Sequence, residues 1–299
     1  MTLDETILSV QHLNKSFGKK QALHDVTFTC QRGHIVGLIG ANGAGKTTIM
    51  KAILSQTRYR GNVTIAGKPS TFGHHPVLAE VGALIEYPGI YPFMSGRDHL
   101  KLFARPTADR NQRIQTVVTD LKLADYVDRP VKGYSLGMKQ KIGIAMALVN
   151  DPQLVILDEP MNGLDAQATK DLRELIQRKQ AAGVSFLIAS HILAELQKLA
   201  EDLIVIDHGR VVQETTMAKL LARNQHFVVL QTDDDAQAAT LLRRNGYHLA
   251  SEVPVKVRLR EHDQLADIMG HLTTAGIGVT DLRHEDDDLE KAVLQLITN

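Results

Sequence analysis

A run of glycines that ends in lysine and threonine is the clearest chemical signal in this sequence. Residues 40–47 read G-A-N-G-A-G-K-T and fit the phosphate-loop pattern G-x-x-x-x-G-K-[ST] without a mismatch. Glycines let the backbone wrap closely around a phosphate, and the N–H groups at a helix start then point toward it. Lys46 can reach the β- and γ-phosphates, and the Thr47 hydroxyl can ligate Mg²⁺. The pattern predicts a nucleoside triphosphate site with contacts from Gly40, Ala41, Asn42, Gly43, Ala44, Gly45, Lys46, Thr47 and Thr48.

Two acidic residues at the end of an apolar stretch indicate a hydrolytic function. Residues 154–157 read L-V-I-L, and Asp158 and Glu159 follow them directly. Asp158 is placed to complete the coordination of Mg²⁺, and Glu159 can orient or deprotonate the attacking water. A later apolar stretch ends in Ser190-His191, where an imidazole could meet the γ-phosphate. A solvated acid pair and a capping histidine are the alternative interpretation, and the shared position at strand ends favours catalysis by Glu159, His191 and Lys46.

A serine and a glycine stand at the start of a second helical pattern. Residues 133–141 read G-Y-S-L-G-M-K-Q-K, and apolar residues at helical spacing continue to about Val149. Ser135 and Gly137 at such a helix start could hold an anion. A serine is also an ordinary first residue of a helix, because its hydroxyl caps the free N–H groups. The residues alone leave both interpretations open.

Composition narrows the class of protein. The chain has 299 residues, and its 34 Lys and Arg balance its 34 Asp and Glu, which gives no support for bulk nucleic-acid binding. Cys30 is the single cysteine, so no disulfide framework is expected. The first residues lack the pattern of a signal peptide, and no apolar run reaches the ~18 residues of a membrane helix. We expect a cytoplasmic protein whose membrane role, if any, comes through a partner.

Apolar strands that alternate with helices predict the fold class. Fully apolar strands separated by helices are typical of a parallel α/β sheet covered on both faces. Strands are predicted at residues 7–13, 22–29, 35–39, 62–66, 154–157, 184–189 and 203–206. Helices are predicted after the phosphate loop and at residues 97–123, 135–149, 166–182 and 192–200.

The pattern changes past about Thr215. The predicted order becomes strand, helix, strand, strand, helix, strand, which suggests a small ferredoxin-like α+β domain. A last helix is predicted at residues 289–297. This part shows no catalytic constellation, and we expect it to serve regulation or dimer support.

The motifs together resemble one family, the ATP-binding subunits of ABC transporters. Residues 40–47 resemble its Walker A motif and residues 154–159 its Walker B motif with the catalytic glutamate. Residues 163–165, G-L-D, resemble the D-loop, and His191 and Phe17 match the switch histidine and the aromatic that stacks on adenine. The resemblance implies an ABC cassette with a mixed sheet core, an antiparallel β part and a helical signature subdomain at about 86–150. It covers roughly residues 5–215, which implies a cassette at 1–215 and an accessory domain at 216–299.

The resemblance also answers the question left by the serine and the glycine. Residues 134–138, Y-S-L-G-M, are similar to the family's signature L-S-G-G-Q, with Ser135 and Gly137 kept. Leu136 and Met138 depart from it. In the family this helix start holds the γ-phosphate of ATP bound to the opposite subunit. The resemblance therefore implies a second ATP-binding subunit, in a homodimer or a heterodimer.

One departure indicates a branch of the family. Residues 85–89 read I-E-Y-P-G, so Glu86 stands where the family usually has the glutamine of the Q-loop. Together with Y-S-L-G-M-K-Q, this segment is similar to exporters that confer bacitracin resistance or lantibiotic self-immunity. The resemblance implies export of peptide antibiotics through a separate membrane permease. It also implies Mg²⁺ ligands at Thr47 and Asp158. Glu86 is a third candidate ligand, and the alternative is that its side chain faces solvent or pairs with a permease residue.

Other functions within the same fold stay open at this point. An importer motor carries the same cassette motifs, so these motifs do not decide the direction of transport. A non-transport ABC ATPase would act on ribosomes or DNA, but this chain has one cassette, no coiled-coil heptads and no excess charge. A regulatory module without turnover would not need Glu159 and His191. We expect a transporter motor on the inner face of the cell membrane, with no nucleic-acid partner.

Overall fold

The computed structural model describes residues 5–73, 76–222, 226–260 and 263–286. The chain divides into two compact units, Met1–Met217 and Ala218–Asn299. The division lies close to the position at which the sequence pattern changes. Within the described residues no helix is long and apolar enough to cross a membrane.

The first unit alternates strands and helices for most of its length. Its strands are β1 (Thr6–Phe17), β2 (Lys20–Gln31), β3 (Ile35–Ile39), β4 (Arg60–Ile65), β5 (Lys68–Pro69), β6 (Val81–Leu84), β7 (Leu154–Asp158), β8 (Ser185–Ser190), β9 (Asp202–Asp207) and β10 (Arg210–Thr216). Its helices are α1 (Lys46–Ile53), α2 (Gly96–Phe103), α3 (Arg110–Asp120), α4 (Leu136–Leu148), α5 (Ala166–Ala181), α6 (Leu193–Leu196) and, across the division, α7 (Met217–Ala222). Short 3₁₀ helices lie at Pro76–Glu80 and Val131–Gly133.

Two sheets form the framework of this unit. One is antiparallel, in the order β2-β1-β4-β5. The other has the order β10-β9-β3-β8-β7-β6, and it is parallel except for β10. Every residue of β3, β7 and β8 is buried, which requires cover on both faces of the sheet. The predicted α/β class with an antiparallel part is confirmed.

The register of the parallel sheet brings four strand ends to one edge. Ile39 pairs with Ser190, and Asp158 pairs with Ala189. Leu84 at the end of β6 pairs with Leu157. Because parallel strands end on the same side, the segments that follow β3, β6, β7 and β8 meet there.

One predicted helix is much shorter than expected. The helix expected at residues 192–200 is only α6, Leu193–Leu196. Beyond it the backbone hydrogen bonds include those of tight turns. For example, the Leu199 N–H donates to the Leu196 carbonyl at 2.9 Å. Leu193, Leu196 and Leu199 are all buried, so the apolar spacing of this segment reflects packing and not a continuous helix.

Besides most of α7, the second unit has two helices and one four-stranded sheet among its described residues. Its elements are β11 (His226–Thr232), α8 (Asp235–Arg244), β12 (His248–Glu252), β13 (Val255–Leu259), α9 (Leu265–Thr274) and β14 (Val279–Asp286). The sheet is antiparallel, in the order β12-β13-β11-β14. Apolar residues of the strands and of both helices share one core, including Val228, Leu230, Leu242, Val257, Ile268 and Leu272. The helix predicted at residues 289–297 lies outside the described residues.

Candidate functional site

The loop between β3 and α1 depends on its glycines. A side chain at Gly40 would place its Cβ 2.3 Å from the backbone oxygen of Ile206, which no real residue tolerates. Gly43 and Gly45 have φ values of 84° and 113°, in the left-handed region that favours glycine. The loop therefore follows a path that brings its backbone around an open space next to the start of α1.

Lys46, the first residue of α1, points its ammonium back into this loop. Its Nζ donates to the carbonyl oxygens of Gly40 at 2.6 Å and Ala41 at 3.3 Å, and the residue is only 6% exposed. Burial lowers the pKa of Lys46, while the charges of Glu159 and Asp158 act against that shift. A buried cation held beside carboxylates is suited to anionic phosphate oxygens.

Thr47 and Asp158 come together although they lie far apart in the chain. The Thr47 hydroxyl donates to Oδ2 of Asp158 at 2.6 Å. Burial is the main cause that raises the pKa of Asp158; the Thr47 hydrogen bond opposes it, and the charge of Glu159 adds to it. The raised pKa means that the positive charge near this carboxylate is too small to offset its burial, so a bound cation would stabilise its ionised form. An oxygen pair of this kind fits Mg²⁺, which prefers hard oxygen ligands.

Glu159 is held at the turn after β7 by its neighbours on β8. Its φ is 48°, and its N–H donates to the carbonyl of Ala189 at 2.9 Å. His191 Nδ1 lies 2.8 Å from one carboxylate oxygen of Glu159, and Lys46 Nζ lies 4.0 Å from the same oxygen. The Ser190 hydroxyl lies 3.4 Å from the other oxygen. The predicted catalytic residues Lys46, Glu159 and His191 are thus brought into one cluster.

A cavity of about 200 Å³ joins the loop to these acids. Its lining consists of Asn42, Gly43, Gly45, Lys46, Thr47, Thr48, Asp158 and Glu159. Ala44 is buried beneath the loop, and its N–H donates to Ala41 at 3.0 Å. The cavity has a buried cation at its base and carboxylates on one side, which is the arrangement expected around a nucleotide phosphate with its metal.

Ser135 and Gly137 lie outside that cavity. The Ser135 hydroxyl caps α4 by accepting from the Met138 N–H at 3.2 Å, so the ordinary capping role is present. A Cβ at Gly137 would come within 2.7 Å of the Gly163 carbonyl, which explains the glycine by the close approach of two backbones. A Cβ at Gly163 would in turn come within 2.6 Å of the Leu136 side chain, which is 58% exposed.

Gln140 joins the same helix to the turn at Glu159, a contact that no motif predicted. The residue is 6% exposed, and its Nε2 donates to the carbonyls of Glu159 and Pro160, both at 3.2 Å. Because it lies on the buried side of α4, it connects the helix start with the backbone of Glu159. No local sequence signal sets Gln140 apart, because it stands between Lys139 and Lys141.

Glu86 stands at the edge of a larger cavity of about 780 Å³, which Asp158 and Glu159 also line. Its backbone has φ 60°, and its carboxylate is paired with Lys51 at 2.7 Å. The sequence did not single out Lys51. Its spacing of four residues from Thr47 was the available signal, because such residues share one face of a helix.

Phe17, at the end of β1, does not line the phosphate cavity. Its side chain is 54% exposed, and the Lys15 ammonium lies 4.5 Å from the ring centroid. An exposed aromatic ring on a strand end can accept a stacked base on its free face.

Known proteins with related sequences and structures are consistent with this geometry. The ABC transporter family model matches residues 23–162. The lantibiotic transport ATP-binding protein SrtF of Streptococcus pyogenes is 37% identical over 209 residues, covering 70% of this chain and 90% of that protein. The bacitracin transport ATP-binding protein BcrA of Enterococcus faecalis is 29% identical over 303 residues, covering 99% of this chain and 98% of that protein.

A solved structure of the ATP-binding subunit of an ABC transporter superposes with a TM-score of 0.67. It is 31% identical and covers 73% of this chain and 93% of its own. This chain therefore shares its fold with the solved ATP-binding subunit. In this chain the phosphate loop, the paired acids and the histidine lie within that fold. The chain belongs to the ATP-binding subunits of ABC transporters, and it is an ATPase.

Proposed function

We propose that this chain is the motor subunit of an exporter of peptide antibiotics. The chain is similar to the bacitracin and lantibiotic transport proteins, and it has Glu86 in the segment I-E-Y-P-G. These two features support the proposal. Transport requires a separate membrane permease, to which the chain would bind on the cytoplasmic face of the cell membrane. Hydrolysis at the phosphate cavity would drive the permease between its conformations.

The phosphates of ATP would bind in the loop, with the adenine on Phe17. Lys46 and the loop N–H groups, together with Thr48, would hold the phosphate oxygens, and Thr47, Asp158 and Glu86 would hold Mg²⁺. When bound, Mg²⁺ offsets the charge that develops on the phosphate oxygens. Glu159 would orient the attacking water and accept its proton.

His191 would keep Glu159 in place and contact the γ-phosphate. The 2.8 Å approach of its Nδ1 to the Glu159 carboxylate supports the first of these roles. A carboxylate with two neighbouring hydrogen-bond partners loses little freedom when the water arrives, which favours catalysis through orientation.

A second ATP-binding subunit completes the proposed site. Ser135 and Gly137 lie outside the chain's own phosphate cavity, and the Ser135 side chain is exposed. They are therefore available to the γ-phosphate of a nucleotide bound to a partner subunit, which is either a second copy or a related chain. We assign residues 1–215 to the cassette, with a signature subdomain at about 86–150. Residues 216–299 form the accessory, ferredoxin-like domain.

Deletion and complementation in the native host test the transported class. Cells that lack the chain should become sensitive to bacitracin or to a lantibiotic. The wild-type chain should restore resistance, and Glu159→Gln should not, because transport needs hydrolysis. The deletion strain and both complemented strains could instead grow equally well in the presence of each peptide. If the deletion strain then took up a nutrient at an altered rate, the chain would be the motor of an importer. Membrane proteins that co-purify with the tagged chain would identify the permease.

A further inference from the structure

Glu86 is held by a cation that lies one helical turn from a proposed metal ligand. Lys51 is on α1, four residues after Thr47, and its Nζ is 2.7 Å from Oε1 of Glu86. The two side chains are 34% and 53% exposed. The carboxylate that would ligate Mg²⁺ therefore already has a positively charged partner on the helix that carries Thr47.

An ion pair of this kind is easily exchanged. A partly exposed pair in water is weak, because the solvent screens both charges. A divalent cation beside Asp158 attracts the same carboxylate more strongly than a single ammonium can. The Glu86 side chain cannot satisfy both partners fully, so the ammonium and the metal compete for it.

The identity of residue 86 decides whether this competition exists. A neutral glutamine has no net charge for Lys51 to hold, although it can still offer an oxygen to a metal. Only an acid at this position forms an ion pair with the lysine, so only an acid can be restrained by its charge. The lysine and the acid should therefore act as a unit.

We propose that Lys51 is a positioning residue that restrains Glu86 until the metal–nucleotide complex takes the carboxylate from it. The inference rests on the proposed function, because it needs Mg²⁺ and ATP at this site. Removal of the ammonium frees Glu86 and makes the metal bind more tightly. The restraint also makes release of the metal easier, since Lys51 recaptures the carboxylate.

A double-mutant cycle tests the restraint without measuring turnover. The full-length chain with a non-hydrolysable ATP analogue is titrated with Mn²⁺, and free Mn²⁺ is followed by electron paramagnetic resonance. Lys51→Met should tighten Mn²⁺ binding about threefold to fivefold, the upper part of what an exposed ion pair can contribute. In a Glu86→Gln background the same substitution should change binding less than about twofold.

Two further variants separate the restraint from general effects. Lys51→Arg keeps a cation and should retain nearly wild-type Mn²⁺ affinity. Lys139→Met removes a positive charge from the lining of the larger cavity without touching the ion pair. It measures how much the loss of one positive charge alone changes Mn²⁺ affinity. Lys51→Gln repeats the test if Lys51→Met folds poorly, as judged by its Tm.

Equal effects of Lys51→Met in both backgrounds would overturn the restraint, because a field effect does not depend on residue 86. Weaker Mn²⁺ binding in Lys51→Met would also overturn it, since the lysine would then hold the carboxylate in its ligating position. If the wild-type chain bound the analogue without Mn²⁺ at the site, the assigned metal ligands would be wrong. That outcome would refute this part of the proposed function, and it is distinct from a failed restraint.

Discussion

At the scale of single residues, the proposed catalytic side chains hold one another in place. Glu159 is approached by His191 and Ser190, and Lys46 lies 4.0 Å away. These residues come from the end of β7, the end of β8 and the start of α1, so a change at one of them alters the surroundings of the others. The consequences are best measured by substitutions that keep shape and change charge.

Glu159→Gln should nearly abolish hydrolysis while ATP binding persists. The amide cannot accept the proton of the attacking water, and losing a general base lowers a rate by about 10²–10⁴-fold. The phosphate loop and the Thr47–Asp158 pair remain intact. ATP and Mg²⁺ should therefore trap a dimer, which size-exclusion chromatography detects as a larger species than the wild type gives.

Glu174→Gln is a suitable control for that experiment. Glu174 lies on α5 and its side chain is 61% exposed, so the same chemical change there should leave hydrolysis unaltered. An unchanged hydrolysis rate in Glu159→Gln would remove Glu159 from the role of base.

Asp158→Asn should stabilise the chain without nucleotide and remove its response to Mg²⁺. Burial raises the pKa of Asp158, so its charge at neutral pH costs folding free energy that a neutral amide does not. We expect the Tm of the first unit to rise by a few degrees; for scale, ~1 kcal/mol shifts Tm by about 2–4 °C in a domain of about 150–250 residues.

The thermal shift caused by Mg²⁺ with ATP should be lost in the same variant. Differential scanning calorimetry with and without Mg²⁺ and ATP measures both effects. A lower Tm without ligand would mean that the Asp158 carboxylate stabilises the fold, contrary to the expected cost of its burial.

At the scale of elements, the sheet and helix positions were largely predictable, and the contacts between distant segments were not. Apolar runs predicted β3, β7 and β8, and the phosphate-loop pattern predicted the start of α1. The Lys51–Glu86 pair and the Gln140 contacts join residues 35 and about 20 positions apart, which no local pattern encodes. The expected helix at residues 192–200 failed because buried leucines at helical spacing also fit a chain of turns.

Ser135→Asp should separate the capping role of Ser135 from its proposed role toward a partner subunit. Aspartate caps a helix about as well as serine, so the Tm should be preserved. Its charge should repel the γ-phosphate of the partner's nucleotide and lower hydrolysis by about 10²-fold or more. ATP affinity of the isolated chain should not change, because Ser135 lies outside its own phosphate cavity.

Ser135→Asn is the neutral match, since asparagine also caps a helix well. It should retain much more activity than the aspartate variant in a titration of ATPase rate against ATP. If ATP affinity of the isolated chain fell in Ser135→Asp, the serine would belong to the pocket of its own subunit.

At the scale of the whole molecule, the second unit has its own core. Val228, Leu230 and Leu272 are fully buried within it. The BcrA match spans this unit as well as the cassette, whereas the SrtF match covers 70% of the chain. The two units can therefore differ in stability, and a core substitution in one of them tests whether they unfold together.

Leu272→Ala should destabilise the second unit by about 2–5 kcal/mol, the cost of a cavity in a packed core. Calorimetry should show an unfolding transition at lower temperature. A second transition that still moves up on addition of ATP and Mg²⁺ would report the cassette.

Thr273→Ala changes an exposed residue on the same helix and should shift Tm little. Leu272→Ala could instead show a single transition, shifted to lower temperature, that still moves up with ATP. That result would contradict independent unfolding and indicate strong coupling between the units.

The hydrogen bond from Gln140 to the backbone of Glu159 has a consequence for communication between nucleotides. In the proposed dimer, the start of α4 would touch the partner's ATP, while Gln140 on the same helix holds the backbone of Glu159. A rigid piece that touches both sites conveys the occupancy of one to the other. The two ATP molecules should therefore not be hydrolysed independently, and the rate should rise more steeply with ATP than a single-site curve allows.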